Sequence, residues 1–259
     1  MNLSVIITGA SDGIGASLAK EFARKRYRLG LMARRSDLLK QVAEECRSLG
    51  ASQVEYRSVD VTQSDAFRRM LGELDELLQG AGIFIANAGM GGDFSPLVDS
   101  GARAKKMIEV NVGAAIDGIE FMKVRMIQRR AGILAGVSSV AGARGLPFGA
   151  AYSATKAALS TYLEGLRIEM KPLGIRVVDI APSFIDTAMT RDAPFPMPFK
   201  VEVNRAAQLF IPALLRGKGR IVEPWQYRPV YFLLKIIPSF IFDWIGAQMV
   251  RRLKFMNSK

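Results

Sequence analysis

Tyr152 and Lys156 stand four residues apart in Tyr-Ser-Ala-Thr-Lys, inside a stretch of helical patterning. That spacing stacks two side chains on one helix face, a turn apart. An ammonium beside a phenol favours the phenolate, so the pair reads as a tyrosine drawn down from ~10 toward the working range, able to act as a general acid and base. The chain holds no histidine. That zero excludes Ser-His-Asp hydrolysis, His-ligated zinc or haem and an imidazole base. The single cysteine, Cys46, excludes an internal disulfide and a thiolate metal cluster, and its helical setting predicts a small buried or half-buried apolar residue. Taken alone, Tyr-x-x-x-Lys also suits a surface tyrosine and lysine on an amphipathic helix.

A second group lies at the other end of the chain, in Thr8-Gly9-Ala10-Ser11-Asp12-Gly13-Ile14-Gly15. Three glycines between an apolar run and a helix allow a tight turn, and let backbone N–H groups and a helix N-terminus approach a pyrophosphate. The spacing differs from G-x-G-x-x-G, and no lysine follows the last glycine, which excludes a P-loop.

Stepwise patterning shows what must carry these groups. Leu3–Thr8, Tyr27–Ala33, Gln53–Val59, Gly82–Asn87, Gly132–Ser138 and Ile175–Ile180 read as buried strands. Helices are expected over 14–26, 36–50, 62–80, 102–130 and 150–171, with Ser36 capping the second and Thr62 with Asp65 forming a capping box for the third. Strands separated by helix-length segments imply parallel pairing and right-handed crossovers, hence an α/β, Rossmann-like doubly wound sheet. Residues 182–200 hold four prolines besides Phe195, Met197 and Phe199, and read as an irregular lid over the site (about 183–203) or as packing on the body. A helix over 203–216, a strand over 220–223 and an apolar-basic tail follow. The expected organisation is one catalytic domain, 1–225, with a helical appendage, 226–259.

With its elements in place, the chain resembles the short-chain dehydrogenase/reductase family, whose TGxxxGxG turn is matched at Thr8–Gly15. Further motifs follow in the family's order: Asn87-Ala88-Gly89, Asn111 in Glu-Val-Asn-Val-Gly, Ser139 thirteen residues before Tyr152, Tyr152-x-x-x-Lys156, and Pro182 through Thr187. The likeness spans roughly residues 3–190. It implies hydride transfer between a nicotinamide and a ketone, aldehyde or alcohol, with Tyr152 moving the proton, Lys156 binding the ribose, Ser139 bonding the substrate oxygen and Asn111 holding a relay water. Gly9, Ser11, Asp12, Gly13, Ile14 and Gly15 would surround the pyrophosphate. Asn87, Ala88 and Gly89 would line the adenosine side, Asp60 and Val61 would meet the adenine, and Pro182, Ile185 and Thr187 the nicotinamide. The family's Pro-Gly is Pro182-Ser183 here, a departure that bears on the loop beyond. The extended epimerase branch would need glycine where Asp12 stands.

The end of the second strand speaks to the cofactor. An NAD enzyme of this fold places an acidic residue there for the ribose 2′-OH, and an NADP enzyme uses arginine for the 2′-phosphate. Ala33 takes that slot and Arg34 and Arg35 follow, so NADP(H) is favoured over NAD(H), although Asp12 weighs the other way. A non-catalytic dinucleotide-binding regulator on the same fold is the alternative, and the retained Tyr152, Lys156, Ser139 and Asn111 count against it.

Charge is uneven. The net charge is +12, and residues 200–259 hold eleven Lys/Arg against three Asp/Glu. Ile241, Ile245, Met249 and Leu253 recur every four positions beside large aromatics, with Arg251, Arg252 and Lys254 following. Lys235, Pro238 and Asp243 interrupt the segment, so it is expected to lie on an anionic membrane surface rather than span it, or else to pack on the body or a second subunit. The tail lacks an aromatic platform for base stacking, so no nucleic acid is expected. With no basic start or cleavage site at the N-terminus, a cytoplasmic protein is expected, and the helices over 102–130 and 150–171 resemble the family's dimerising pair, which implies a homodimer or homotetramer.

Overall fold

The computed structural model describes residues 3–91, 101–191 and 196–256, with backbone alone for 252–256; Phe195 of the expected lid lies outside it. Seven parallel strands form the central sheet in the order β3-β2-β1-β4-β5-β6-β9. They are β1 (Ser4–Thr8), β2 (Arg28–Ala33), β3 (Gln53–Ser58), β4 (Ile83–Ala86), β5 (Gly132–Val137), β6 (Ile175–Pro182) and β9 (Arg220–Glu223). β1, β4 and β5 are buried at every residue, because helices cover both faces and no strand position meets water. On one face Phe22, Leu39 and Phe210 come from α1 (Gly13–Arg24), α2 (Ser36–Ser48) and α7 (Val203–Leu215). On the other, Phe67, Ile119, Met122 and Leu163 come from α3 (Ser64–Leu77), α5 (Ala115–Arg129) and α6 (Ala150–Met170).

Strand order reverses between β1 and β4. The chain runs outward through β2 and β3, then returns to pair β4 with the free edge of β1, with Val5 opposite Ile83 and Ile7 opposite Ile85. A parallel sheet opens a crevice at the carboxyl ends of its strands where the order reverses. The glycine turn after β1 and the Asn87 turn after β4 both face that point.

Several boundaries differ from those expected. Ser36 is the first residue of α2 and caps nothing; Arg35 holds the N-cap position without a side-chain bond. No capping box opens α3, which starts at Ser64 after an uncapped Gln63. Thr62 instead bonds Asp60, its Oγ1 donating at 2.8 Å and its N–H at 3.0 Å, because a local Asx turn competes with the helix for those groups. The helix expected over 102–130 is α4 (Gly101–Ile108), a π-helical segment (Glu109–Ala114) and α5. Such wide turns often occur at functional sites, and this one holds Asn111. The proline-rich segment is not wholly irregular: β7 (Ile185–Asp186) pairs with β8 (Val201–Glu202). Cys46 is fully buried, and burial pushes its thiol up to about 11.

Beyond β9 the chain forms α8 (Tyr227–Ile236) and α9 (Ser239–Met256), with Pro238 between them and a bend of 120°. Tyr227 and Tyr231 are buried, whereas Phe232, Leu233, Ile236, Phe240 and Trp244 are exposed. Among the described residues no single helix is long and apolar enough to cross a membrane.

Candidate active site

A cleft of about 530 Å³ runs across the carboxyl ends of β1, β4, β5 and β6. At one end is the glycine turn. Gly9 and Gly13 have φ of +66° and +54°, values that L side chains rarely adopt, and a Cβ on Gly15 would stand 2.4 Å from the Gly9 carbonyl oxygen. The turn is therefore built for glycine at three places. Asp12 caps α1, accepting from the Gly13 N–H at 2.7 Å. Asn87 closes the turn from β4, its Nδ2 donating to the carbonyls of Thr8 at 2.9 Å and Gly9 at 3.2 Å. The Asn87 amide, expected beside adenosine, is thus engaged in holding the turn. Gly9, Ser11, Asp12, Gly13, Ile14, Asn87, Ala88 and Gly89 line the cleft, and Gly15 does not.

The outer end is rich in charge. Arg34 lies 3.8 Å from Asp60, and Arg35 lies 3.2 Å from Asp12 and 3.3 Å from the Ser11 hydroxyl. Burial pulls the Asp60 carboxyl up, but the two Thr62 bonds, Arg34 and Lys106 together hold it below its ordinary value. Asp60 and Val61 line this end. Lys106 and Val110 also line it, and neither was anticipated. The signal was available: they are four apart on the helix that leads to Asn111.

At the inner end α6 presents Tyr152 and Lys156 on one face. Lys156 Nζ donates to the Val137 carbonyl at 2.8 Å and stands 5.7 Å from the centre of the Tyr152 ring. Burial pulls the ammonium down to about 8, opposed by the charge of Asp179. Burial also pushes the Tyr152 phenol up, opposed by a hydrogen bond with Ser139. The expectation that Lys156 draws the tyrosine downward therefore fails in this structure. Desolvation outweighs it, and the lysine's charge is directed at a backbone carbonyl.

The two adjacent serines part company here. Ser138 turns into the core and donates to Asp179, whereas Ser139 caps a short 3-10 turn, accepting from the Ala141 N–H at 3.1 Å and donating to the Pro182 carbonyl at 3.3 Å. Asn111 does not line the cleft; it is buried behind Gly89. Its Oδ1 accepts from the Met90 N–H at 2.8 Å, and its Nδ2 donates to the Met90 carbonyl at 3.0 Å and to Thr155 at 3.1 Å. Pro182, Ile185 and Thr187 complete the wall, joined by Ser183 and Met189.

The geometry sets a glycine turn and a helix N-terminus at one end and a half-buried phenol beside a buried lysine at the other. Comparison with known proteins agrees. The family model for short chain dehydrogenase matches residues 4–195. An uncharacterized oxidoreductase of Myxococcus xanthus is 36% identical over 93% of this chain and 94% of that protein. A short-chain dehydrogenase from Sphingobium yanoikuyae, solved in complex with NADPH, superimposes with a TM-score of 0.78 at 26% identity, covering 91% of this chain and 96% of that one. An alcohol dehydrogenase from the archaeon Thermococcus sibiricus, complexed with 5-hydroxy-NADP, does so with a TM-score of 0.74 at 27% identity, over 85% and 94% of the two chains. By this match, which covers most of its length, the chain belongs to the short-chain dehydrogenase family.

Proposed function

We propose that the protein is an NADP(H)-dependent oxidoreductase interconverting a ketone or aldehyde with an alcohol, on a hydrophobic substrate. The observation that carries this reading is the joining of Tyr152, Ser139 and Lys156 in one cleft with the glycine turn and two arginines. A dinucleotide fits that cleft. Gly9, Gly13, Ile14 and the start of α1 would hold the pyrophosphate, Arg34 and Arg35 the 2′-phosphate, and Lys156 and Thr187 the nicotinamide riboside. NADP-type ligands in the two structural relatives support the same choice. When bound, the nicotinamide supplies or takes a hydride.

The protein's own part is position and the proton. Ser139 and Tyr152 would both bond the substrate oxygen, and Tyr152 would donate its proton to that oxygen in reduction. A phenol raised by burial gives that proton to an alkoxide forming beside it. Lys156 would lend positive charge beneath the pair, and Asn111 would hold the Met90 strand end and α6 together behind them. Met189, exposed at the rim, and Phe199 beyond it would meet an apolar substrate.

The same reading includes a homodimer or homotetramer, supported by exposed Ile108, Val124 and Ile168 on α4, α5 and α6. Residues 226–259 would act as an appendage that touches an anionic membrane peripherally. Purified protein should oxidise NADPH with some member of a panel of apolar ketones and aldehydes. Tyr152→Phe should then lower turnover ~10²-fold or more while NADPH affinity stays within a few-fold. No oxidation across the panel, or a Tyr152→Phe protein of near-normal turnover, would overturn the reading and favour a dinucleotide-binding regulator.

A further inference from the structure

Asp179 is buried without exposure midway along β6, the strand next to the sheet edge, between Gly136 of β5 and Arg220 of β9. It does not line the cleft, and nothing in the proposed chemistry uses it. A buried carboxylate is costly unless its oxygens are bonded and its charge is paired. Here both conditions are met from three directions. Its Oδ1 accepts from Ser138 Oγ at the end of β5. Its Oδ2 accepts from Ser160 Oγ on α6 at 2.6 Å and from Arg220 Nε on β9 at 2.7 Å. Arg220 in turn donates to Ser160 at 3.0 Å and to Glu164 at 3.1 Å, and its guanidinium lies 5.3 Å from the Tyr231 ring of α8.

The partners on either side of Asp179 are the immediate neighbours of the reacting groups. Ser138 precedes Ser139. Ser160 follows Lys156 by one helical turn and Tyr152 by two, on the same face of α6. We propose that Asp179 is a positioning residue: with one oxygen on the end of β5 and the other on α6, its carboxylate sets the separation between Ser139 and the Tyr152–Lys156 face. The proposal rests on the reading of those three residues as the reacting face.

Two features favour this over a simple internal staple. An apolar side chain could fill the same space between β5 and α6 without the cost of a buried charge, and bifurcated bonding fixes direction as well as distance. Asp179 is also the negative charge that acts on Lys156, opposing the downward pull of burial. Facing Lys156 are the Tyr152 ring on its own helix, the neutral Asn111 amide behind Gly89, and Asp179 from β6 with Arg220 and Glu164 behind it.

The test compares the full-length protein with Asp179→Asn, which keeps the shape and loses the charge, and with Ser160→Ala and Ser138→Ala, which each remove one donor. Two measurements are made. Competitive acetylation with acetic anhydride across pH, read by peptide mass spectrometry, gives the Lys156 titration midpoint independently of any activity. Steady-state NADPH-dependent ketone reduction gives kcat and KM. The expected result is a Lys156 midpoint lower by half a pH unit or more in Asp179→Asn. Each serine variant should lose threefold or more in kcat, with KM for the ketone nearly unchanged. If Asp179→Asn fails to fold, the serine variants decide by the same kcat criterion. Serine variants that keep the wild-type kcat, or a folded Asp179→Asn whose Lys156 midpoint and kcat are unchanged, overturn the proposal. A wild type that turns over no ketone defeats the reading of the site instead. In that case the acetylation midpoint in Asp179→Asn or, if that variant does not fold, in Asp179→Ser, which also removes the charge, still decides the role of Asp179: a lowered midpoint supports it and an unchanged one overturns it.

Discussion

Arg35 and Asp12 form an ion pair 3.2 Å apart across the mouth of the glycine turn, and the same guanidinium reaches the Ser11 hydroxyl. The pair is more than half exposed, so its own contribution to stability is small. Its consequence is preorganisation: an arginine already held at the turn loses less entropy when a phosphate arrives. Asp12 thus ceases to argue against NADP, because its charge is engaged by Arg35 and by the Gly13 N–H.

Replacing both arginines, Arg34→Ala with Arg35→Ala, should raise the NADPH Michaelis constant roughly ten- to a hundredfold. Loss of two charge-assisted contacts costs ~1.5–3 kcal/mol. The NADH constant should change little. Parallel Michaelis–Menten series with the two nucleotides check this, and an equal loss for both would remove the arginines from the 2′-phosphate.

Gly15→Ala tests the turn itself. Its new Cβ would meet the Gly9 carbonyl oxygen at 2.4 Å and Asn87 Nδ2 at 2.5 Å, and both of these atoms are fixed by the turn. Relieving the clash must open the Asn87 clamp. Expected are a destabilisation of about 1–3 kcal/mol in urea melts and a tenfold or greater loss of NADPH affinity by fluorescence titration.

The sheet was readable because β1, β4 and β5 are mostly apolar runs and helix-length segments separate the successive strands from β1 to β6, a pattern that permits few topologies. Local spacing suggested the glycine turn and the Tyr152–Lys156 pair, and the order of motifs shared with the family singled them out and added Asn87. What escaped was one local competition and two effects set by distant residues. Asp60 took the Thr62 hydroxyl from α3, which no helix-start rule anticipates. Asn111, in the π-helical segment, bonds Met90 and Thr155, one 21 residues before it and one 44 after. The upward shift of Tyr152 depends on burial, and a spacing of four residues carries no information about burial.

Lys156 gives a pH-dependent signature of folding. Its ordinary value of 10.5 falls to about 8 in the folded protein, so between those limits the unfolded chain holds a proton that the folded chain has released. Stability contributed through this group therefore rises with pH across that window, and below about 8 the full cost of burying the charge is present. The stability of Lys156→Met relative to wild type should accordingly decline from pH 7 to pH 10, by about 2–3 kcal/mol. Denaturant melts of the two proteins at matched pH measure this, and a difference independent of pH would mean that Lys156 titrates normally.

The last prediction concerns α8 and α9. Ten of the nineteen exposed large apolar side chains among the described residues lie between Trp225 and Met249. The inward sides of the helices are already occupied. Tyr227 and Tyr231 are buried beneath α8, Phe242 stacks 4.9 Å from Arg144, and Gly246 approaches Pro147. Packing on the body therefore leaves a second, outward apolar face comprising Phe232, Leu233, Ile236, Phe240, Trp244 and Ile245. Arg228, Lys235 and Arg251 are exposed around it, and Asp243 is the one acid between Gln226 and Lys259. An apolar face with a basic border suits the interface of an anionic bilayer, where each nearby basic residue adds about 1 kcal/mol and buried apolar area adds more. The protein should sediment with phosphatidylserine-containing vesicles, should bind phosphatidylcholine vesicles weakly, and should be released by high salt in part only. Phe240→Glu with Trp244→Glu changes two outward side chains and leaves the packed faces intact, so it should fold normally and lose vesicle binding at least tenfold. If wild type ignores anionic vesicles, or if the double variant binds them equally well, the face belongs to another surface. A concentration-dependent rise in mass in solution would then identify that surface as a second copy of the chain.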